Sequence, residues 1–148
     1  MKIYLAADHA GFQLKASLSS FLRQKGYKVF DLGNTVYDEA DDYPDFIFPL
    51  AEKVAQEINI FGIAIGKSGN GEAIVANKVK GIRAALCLTT EMAKLAREHN
   101  NANILVLGAD FIQNRAEEIA EVFISTAYSN EERHKRRIAA ISSFEQKS

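Results

Sequence analysis

Short apolar runs alternate five times with segments whose apolar residues recur at helical spacing, and this alternation restricts the chain to a parallel α/β architecture. The first run, 2–7, ends at a polar loop, Asp8-His9-Ala10-Gly11. Phe12, Leu14, Leu18, Phe21 and Leu22 then follow at helical spacing up to Gly26, a C-cap. A second run covers 27–32. Residues 33–43 form an acidic connection carrying Asp38, Glu39, Asp41 and Asp42, and Pro44 suits the first turn of a helix running to about Ile58. The third run, 61–65, enters a glycine-rich turn, and a helical pattern begins near Glu72. The fourth is 82–88, after which Thr89 or Thr90 can cap a helix through Met92, Leu95 and Ala96 to about Asn100. The fifth, 104–107, ends at Gly108. Asn114 is the expected cap of a helix containing Ala116, Ile119, Ala120, Phe123 and Ile124, and a basic helix from near Glu131 carries Arg133, His134, Lys135, Arg136 and Arg137. Five strands alternating with helices imply a parallel sheet covered on both faces, with ligands at the carboxyl ends of its strands.

A chain of 148 residues fits one domain, 1–148, around a single core. Eighteen basic against nineteen acidic residues leave a formal charge of −1, so no overall positive field recruits nucleic acid or an anionic membrane. Any anion must be held by a local cluster. Cys87 stands alone and within an apolar run, which suits a buried structural thiol and a reducing cytoplasm. The first apolar run is too short for a signal peptide, and none approaches the ~20 residues of a membrane span. A soluble cytoplasmic protein without a membrane partner is expected.

The stretch 62–78, GIAIGKSGNGEAIVANK, carries the most chemistry. Strand, glycine turn and helix start follow in succession. Glycines at 66, 69 and 71 allow close backbone approach, and the first amides of a helix point outward unpaired, so the turn suits an anion. Two familiar motifs fail here. A nucleotide P-loop ending in Gly66-Lys67-Ser68 needs glycine at 61, which is Phe, and a nucleophile elbow needs glycine at 70, which is Asn. Ser68 is therefore read as a hydrogen-bonding group. The first βα turn lacks the dinucleotide fingerprint, and His9, His99 and His134 show no zinc-site spacing, so neither a cofactor nor a metal is expected.

Glu72 at the edge of the turn is the candidate base, although a carboxylate in a helix's first turn is also common as a simple dipole partner. His99 could equally serve its helix end, and Arg133 with Arg137 could be a solvated i, i+4 face. Asp8-His9, the glycine turn and Gly108-Ala109-Asp110 all follow strands, and so belong to one rim. His99-Asn100 ends a helix, which would normally put it at the opposite rim; to join the site it has to come from a differently placed helix end or from another subunit. Together these residues provide what aldose–ketose isomerisation needs: a base, an acid for ring opening, an oxyanion site and a phosphate clamp.

The segments ADHAGF at 7–12, DYPD at 42–45, GKSGNGE at 66–72, ANK at 76–78, GIRA at 81–84, REHNNAN at 97–103 and RHKRR at 133–137 resemble the ribose-5-phosphate isomerase B family, which includes the galactose-6-phosphate isomerase subunits. The resemblance implies a three-layer α/β/α Rossmann-like domain with a five-stranded parallel sheet, and a homodimer or homotetramer whose active sites are shared between subunits. It implies interconversion of ribose 5-phosphate and ribulose 5-phosphate through a cis-enediolate. The family's base is either a cysteine at the position of Gly66 or a glutamate further along the loop, and this chain resembles the glutamate branch. By the same resemblance Glu72 is the base, Asp8 and His9 contact the sugar, and Lys67, Ser68, Gly69, Asn70 and Gly71 line the enediolate. His99 assists ring opening, Asn100 binds substrate, and Arg133 and Arg137 hold the phosphate. Asp110 departs from the pattern, standing where many members have a phosphate-binding arginine; Lys67, Lys135 or Arg136 could compensate. The rival readings are an isomerase of another phosphorylated aldose, such as allose or galactose 6-phosphate, and a non-catalytic sugar-phosphate-binding module.

Overall fold

The computed structural model describes residues Met1–Ser148. Five strands, β1 (Lys2–Ala7), β2 (Lys28–Asp31), β3 (Ile60–Gly66), β4 (Ala84–Leu86) and β5 (Ile104–Gly108), form one sheet in the order β2-β1-β3-β5-β4. Every neighbouring pair is parallel. The helices are α1 (Phe12–Gln24), α2 (Pro44–Gln56), α3 (Asn70–Ala76), α4 (Thr90–Asn100), α5 (Ala116–Ser125) and α6 (Glu132–Gln146), with a 3-10 turn at His9–Gly11. The expected Rossmann-like α/β fold is what the chain adopts.

The two-residue period of the strands separates the interior into two halves. Ile3, Leu5, Ile63, Ile65, Leu105 and Leu107 point into a cluster shared with residues of α1, α4 and α5. Tyr4, Ala6, Ile60, Ala64, Ile104 and Val106 point the other way, against Ile47, Leu50 and Val54 of α2 and Val75 of α3. Burial of the whole of β3 explains why it reads as a continuous apolar run.

Local chemistry sets most element ends. Gly26 adopts φ +94 after α1. Pro44 opens α2, and the Thr89 Oγ1 accepts a hydrogen bond from the Met92 amide at 3.1 Å to cap α4. The start of α5 corrects the sequence reading. Arg115, not Asn114, holds the N-cap position, without a side-chain cap bond, because Gln113 takes a left-handed φ of 52 and turns the chain one residue later. β4 is also shorter than the apolar run 82–88, since Ile82 closes a turn by donating to the Val79 carbonyl.

Register then places the loops. Ala7 is level with Ile65, and Gly66 with Gly108, so the residues following β1, β3 and β5 emerge side by side at one rim. The chain leaves β1 toward β2 on one side, while β3 continues the sheet on the other. That reversal opens a crevice at the carboxyl ends of β1 and β3. No helix is long and apolar enough to cross a membrane.

Candidate active site

The crevice is floored by the turn between β3 and α3. Gly69 has φ +85, and a Cβ there would lie 2.6 Å from the Leu86 Cδ1, so only glycine fits. The turn is fastened to the loop after β5, where the Ala109 and Asp110 amides donate to the Gly66 and Lys67 carbonyls at 2.8 and 3.0 Å. Ser68 Oγ accepts from the Asn70 amide at 3.2 Å, leaving its own proton free for a ligand. Tyr43, just before α2, lays its ring against Gly71, where a Cβ would come within 2.5 Å of Cζ.

Glu72 is the third residue of α3 and only 4% exposed. Its carboxylate folds back over Gly66, where a Cβ would meet Oε1 at 2.0 Å and Oε2 at 2.2 Å. The carboxylate therefore occupies the volume that any side chain at position 66 would need. Burial raises its pKa, its own backbone amide opposes this, and the charge of Asp8 adds to the rise. Such a group sits closer to neutrality than an exposed carboxylate, as a proton-transferring base requires.

Asp8 follows β1 and is 7% exposed; Oδ1 caps the 3-10 turn by accepting from the Ala10 amide at 3.1 Å. His9 beside it is half-buried. Its Nδ1 lies 2.6 Å from the Asp41 Oδ1, with Tyr37 edge-on at 6.3 Å. The hydrogen bond to Asp41 is the main cause of a raised His9 pKa, helped by the charges of Asp8, Asp41 and Glu39 against partial burial. Asp8, His9 and Asp41 present three potential metal-ligand atoms within 4.8 Å of one another, but His9 Nδ1 and Asp41 Oδ1 are spent on each other.

Lys67 points outward beside Asp110, Nζ to Oδ2 4.0 Å. The anion at position 110 thus has a cation at hand. Being exposed, the pair is worth at most about 1 kcal/mol.

The other four expected site residues lie elsewhere. His99 and Asn100 form the last turn of α4, which ends at Asn101 in a left-handed conformation, φ 44. Arg83, just before β4, donates to the Asn100 and Asn101 carbonyls at 2.8 and 3.0 Å, which fixes this end of the helix at the amino ends of the strands. His99 stacks on the buried His134 of α6, with centroids 4.3 Å apart. Burial, then the charges of Arg133 and His99, lower the His134 pKa. Arg133 and Arg137 stand exposed on α6, Arg133 Nε donating to Glu131 at 3.0 Å. One chain therefore presents the expected site residues as two groups on opposite rims. Asp8, His9, Lys67, Ser68, Gly69, Asn70, Gly71 and Glu72 are brought together, and His99, Asn100, Arg133 and Arg137 form a second group. The sequence reading missed Asp41, Asn34 and Tyr43; only the run of acids at 38–42 hinted at the first.

Comparison with known proteins agrees with this architecture. The profile of the Ribose/Galactose Isomerase family matches residues 3–141. The ribose-5-phosphate isomerase B of Mycobacterium leprae is 42% identical over 146 residues, 98% of this chain and 90% of that protein. The structure of ribose-5-phosphate isomerase B from Mycoplasma genitalium with bound ribulose-5-phosphate superposes with a TM-score of 0.95 at 40% identity, covering 99% of this chain and 97% of that one. The Thermotoga maritima ribose 5-phosphate isomerase gives 0.91 at 43% identity, covering 96% and 97%. The chain belongs to the ribose/galactose isomerase family.

Proposed function

We propose that this chain interconverts ribose 5-phosphate and ribulose 5-phosphate. The observation that carries the assignment of its base is the buried Glu72 carboxylate seated on Gly66 at the floor of the crevice. Glu72 removes the C2 proton of the open-chain aldose as the carbonyl oxygen at C1 becomes the enediolate oxyanion; it then returns the proton to C1 as the C2 carbonyl forms and the O2 hydroxyl proton passes to O1. The Lys67, Gly69 and Gly71 amides and the Ser68 hydroxyl, whose oxygen is held by the Asn70 amide, serve that oxyanion, where donors fixed in advance are worth most. No electron leaves the substrate, so the reaction balances without a redox partner.

Ring opening and phosphate binding require the second half-site. A homodimer supplies it by setting His99, Asn100, Arg133 and Arg137 of one copy against the Glu72 crevice of the other. The half-exposed or exposed apolar side chains of Ile74, Met92, Leu95, Ile141 and Phe144 are available for burial in such an assembly. Asp8 and His9 contact the sugar hydroxyls, and Arg133 and Arg137 hold the phosphate. A cytoplasmic setting suits the free buried thiol of Cys87.

The test is Glu72→Gln. This variant should bind ribose 5-phosphate but lose turnover by roughly a hundred- to ten-thousand-fold, along with exchange of the C2 proton with deuterated solvent. Retained exchange would remove Glu72 from the role.

A further inference from the structure

The connection between β2 and α2 has no regular structure, yet the Asp41 side chain within it is only 10% exposed. Its contacts converge on one group. Oδ1 accepts from both the His9 ring Nδ1 at 2.6 Å and the His9 amide at 3.0 Å, and Oδ2 accepts from Asn34 Nδ2 at 3.1 Å. Asn34 is held in turn, for its carbonyl accepts from Lys15 Nζ, which also binds Asp31 at 2.9 Å. Lys15 and Asn34 are 2% and 5% exposed. A buried cation on α1 thus anchors the connection, the connection anchors a carboxylate, and the carboxylate grips an imidazole at the mouth of the crevice.

We infer that Asp41 is the positioning residue of His9, fixing the ring with Nδ1 inward so that Nε2 is the atom offered to the substrate. The chemistry leaves one arrangement. A carboxylate can only accept, so Nδ1 must carry the proton of their hydrogen bond, and Nε2 alone remains for a ligand. The backbone bond to the same Oδ1 fixes the ring's base as well as its tip. The titratable groups facing the ring are Asp8 at the end of β1, Asp41 and Glu39 on the connection, and the edge-on Tyr37. Three of these four are carboxylates, so they favour the imidazolium, and Nε2 then donates to a sugar or phosphate oxygen. Burial alone would raise the Asp41 pKa, but the bonds from the His9 ring, the His9 amide and Asn34 outweigh it and hold this carboxyl below its usual range. The inference rests on the proposed contact of His9 with the sugar phosphate.

The experiment combines kinetics with histidine NMR of the ligand-free protein. Asp41→Asn should bring the His9 titration down toward the ordinary histidine value and raise KM for ribose 5-phosphate about tenfold or more, with a much smaller change in kcat; Asp41→Glu should recover part of both. An unmoved His9 titration in Asp41→Asn overturns the inference, since a merely structural clamp predicts that result. Long-range nitrogen–proton correlations on the unmodified protein provide a readout that no variant's folding can spoil. A proton on Nδ1 in the neutral ring supports the inference, and a neutral ring protonated on Nε2 overturns it. If His9→Asn leaves KM unaltered, the sugar contact falls, while tautomer and titration still judge Asp41 separately.

Discussion

Alanine at position 66 is the smallest change that attacks the proposed base directly. Its Cβ would stand 2.0 Å from the Glu72 Oε1 and 2.1 Å from Cδ, whereas ordinary contact begins near 3.4 Å. The carboxylate has to retreat by about 1.4 Å. A misplacement of about 1 Å at a reacting group costs roughly a hundredfold in rate, so kcat should fall about a hundredfold or more. KM should change little, because the proposed hydroxyl and phosphate contacts involve other residues. The carboxylate is the free end of a flexible side chain, so overpacking should cost no more than about 1–3 kcal/mol, a Tm loss of several degrees that leaves the protein folded. Steady-state isomerisation of ribose 5-phosphate, with circular dichroism as a folding control, measures both effects. A folded Gly66→Ala protein with unimpaired kcat would show that the carboxylate on Gly66 is not the base.

Burial of Glu72 has a pH signature. Its pKa is raised in the folded state, so kcat/KM should fall on the acid side with a midpoint above the ordinary carboxylate range. The folded protein holds this proton more tightly than the unfolded chain, so stability is lost as pH rises through that window. Glu72→Gln should therefore raise Tm at neutral pH, and the gain should vanish below the ordinary carboxylate range; thermal melts across pH decide it. Mixing inactive Glu72→Gln with inactive His99→Asn protein under subunit exchange should restore activity that neither has alone, since hybrids rebuild one intact shared site; no recovery despite verified exchange refutes the shared site. Cys87 is 1% exposed, and burial pushes its thiol up to about 12, so thiol reagents should leave native activity intact at neutral pH. Inactivation faster than unfolding would contradict that.

Much of the scaffold is legible because its causes are local. Thr89 caps α4 and Pro44 opens α2 through bonds and dihedrals that neighbouring residues determine. Glycines 66 and 69 announce themselves because only the absence of Cβ lets the backbone adopt φ +85 or the carboxylate of Glu72 settle at 66. Asn114 misled because cap preference assumes a conventional approach to the helix, and the positive φ of Gln113 changed it. Lys15 would be read as solvent-facing on α1, yet it is buried, since its partners Asp31 and Asn34 come from another segment.

Residue spacing and backbone freedom are properties of the chain, so the alternation of strands and helices, the glycine turn and the presence of a carboxylate at its edge were all legible before folding. Tertiary structure alone decided what surrounds those residues. Asp41 reaches His9 across 32 positions, Tyr43 covers Gly71, and Glu72 loses its water, all through strand order and register, which no local pattern encodes. The same register sets His99, Asn100, Arg133 and Arg137 on the rim away from Glu72. One folded chain thus holds the two groups of proposed site residues apart.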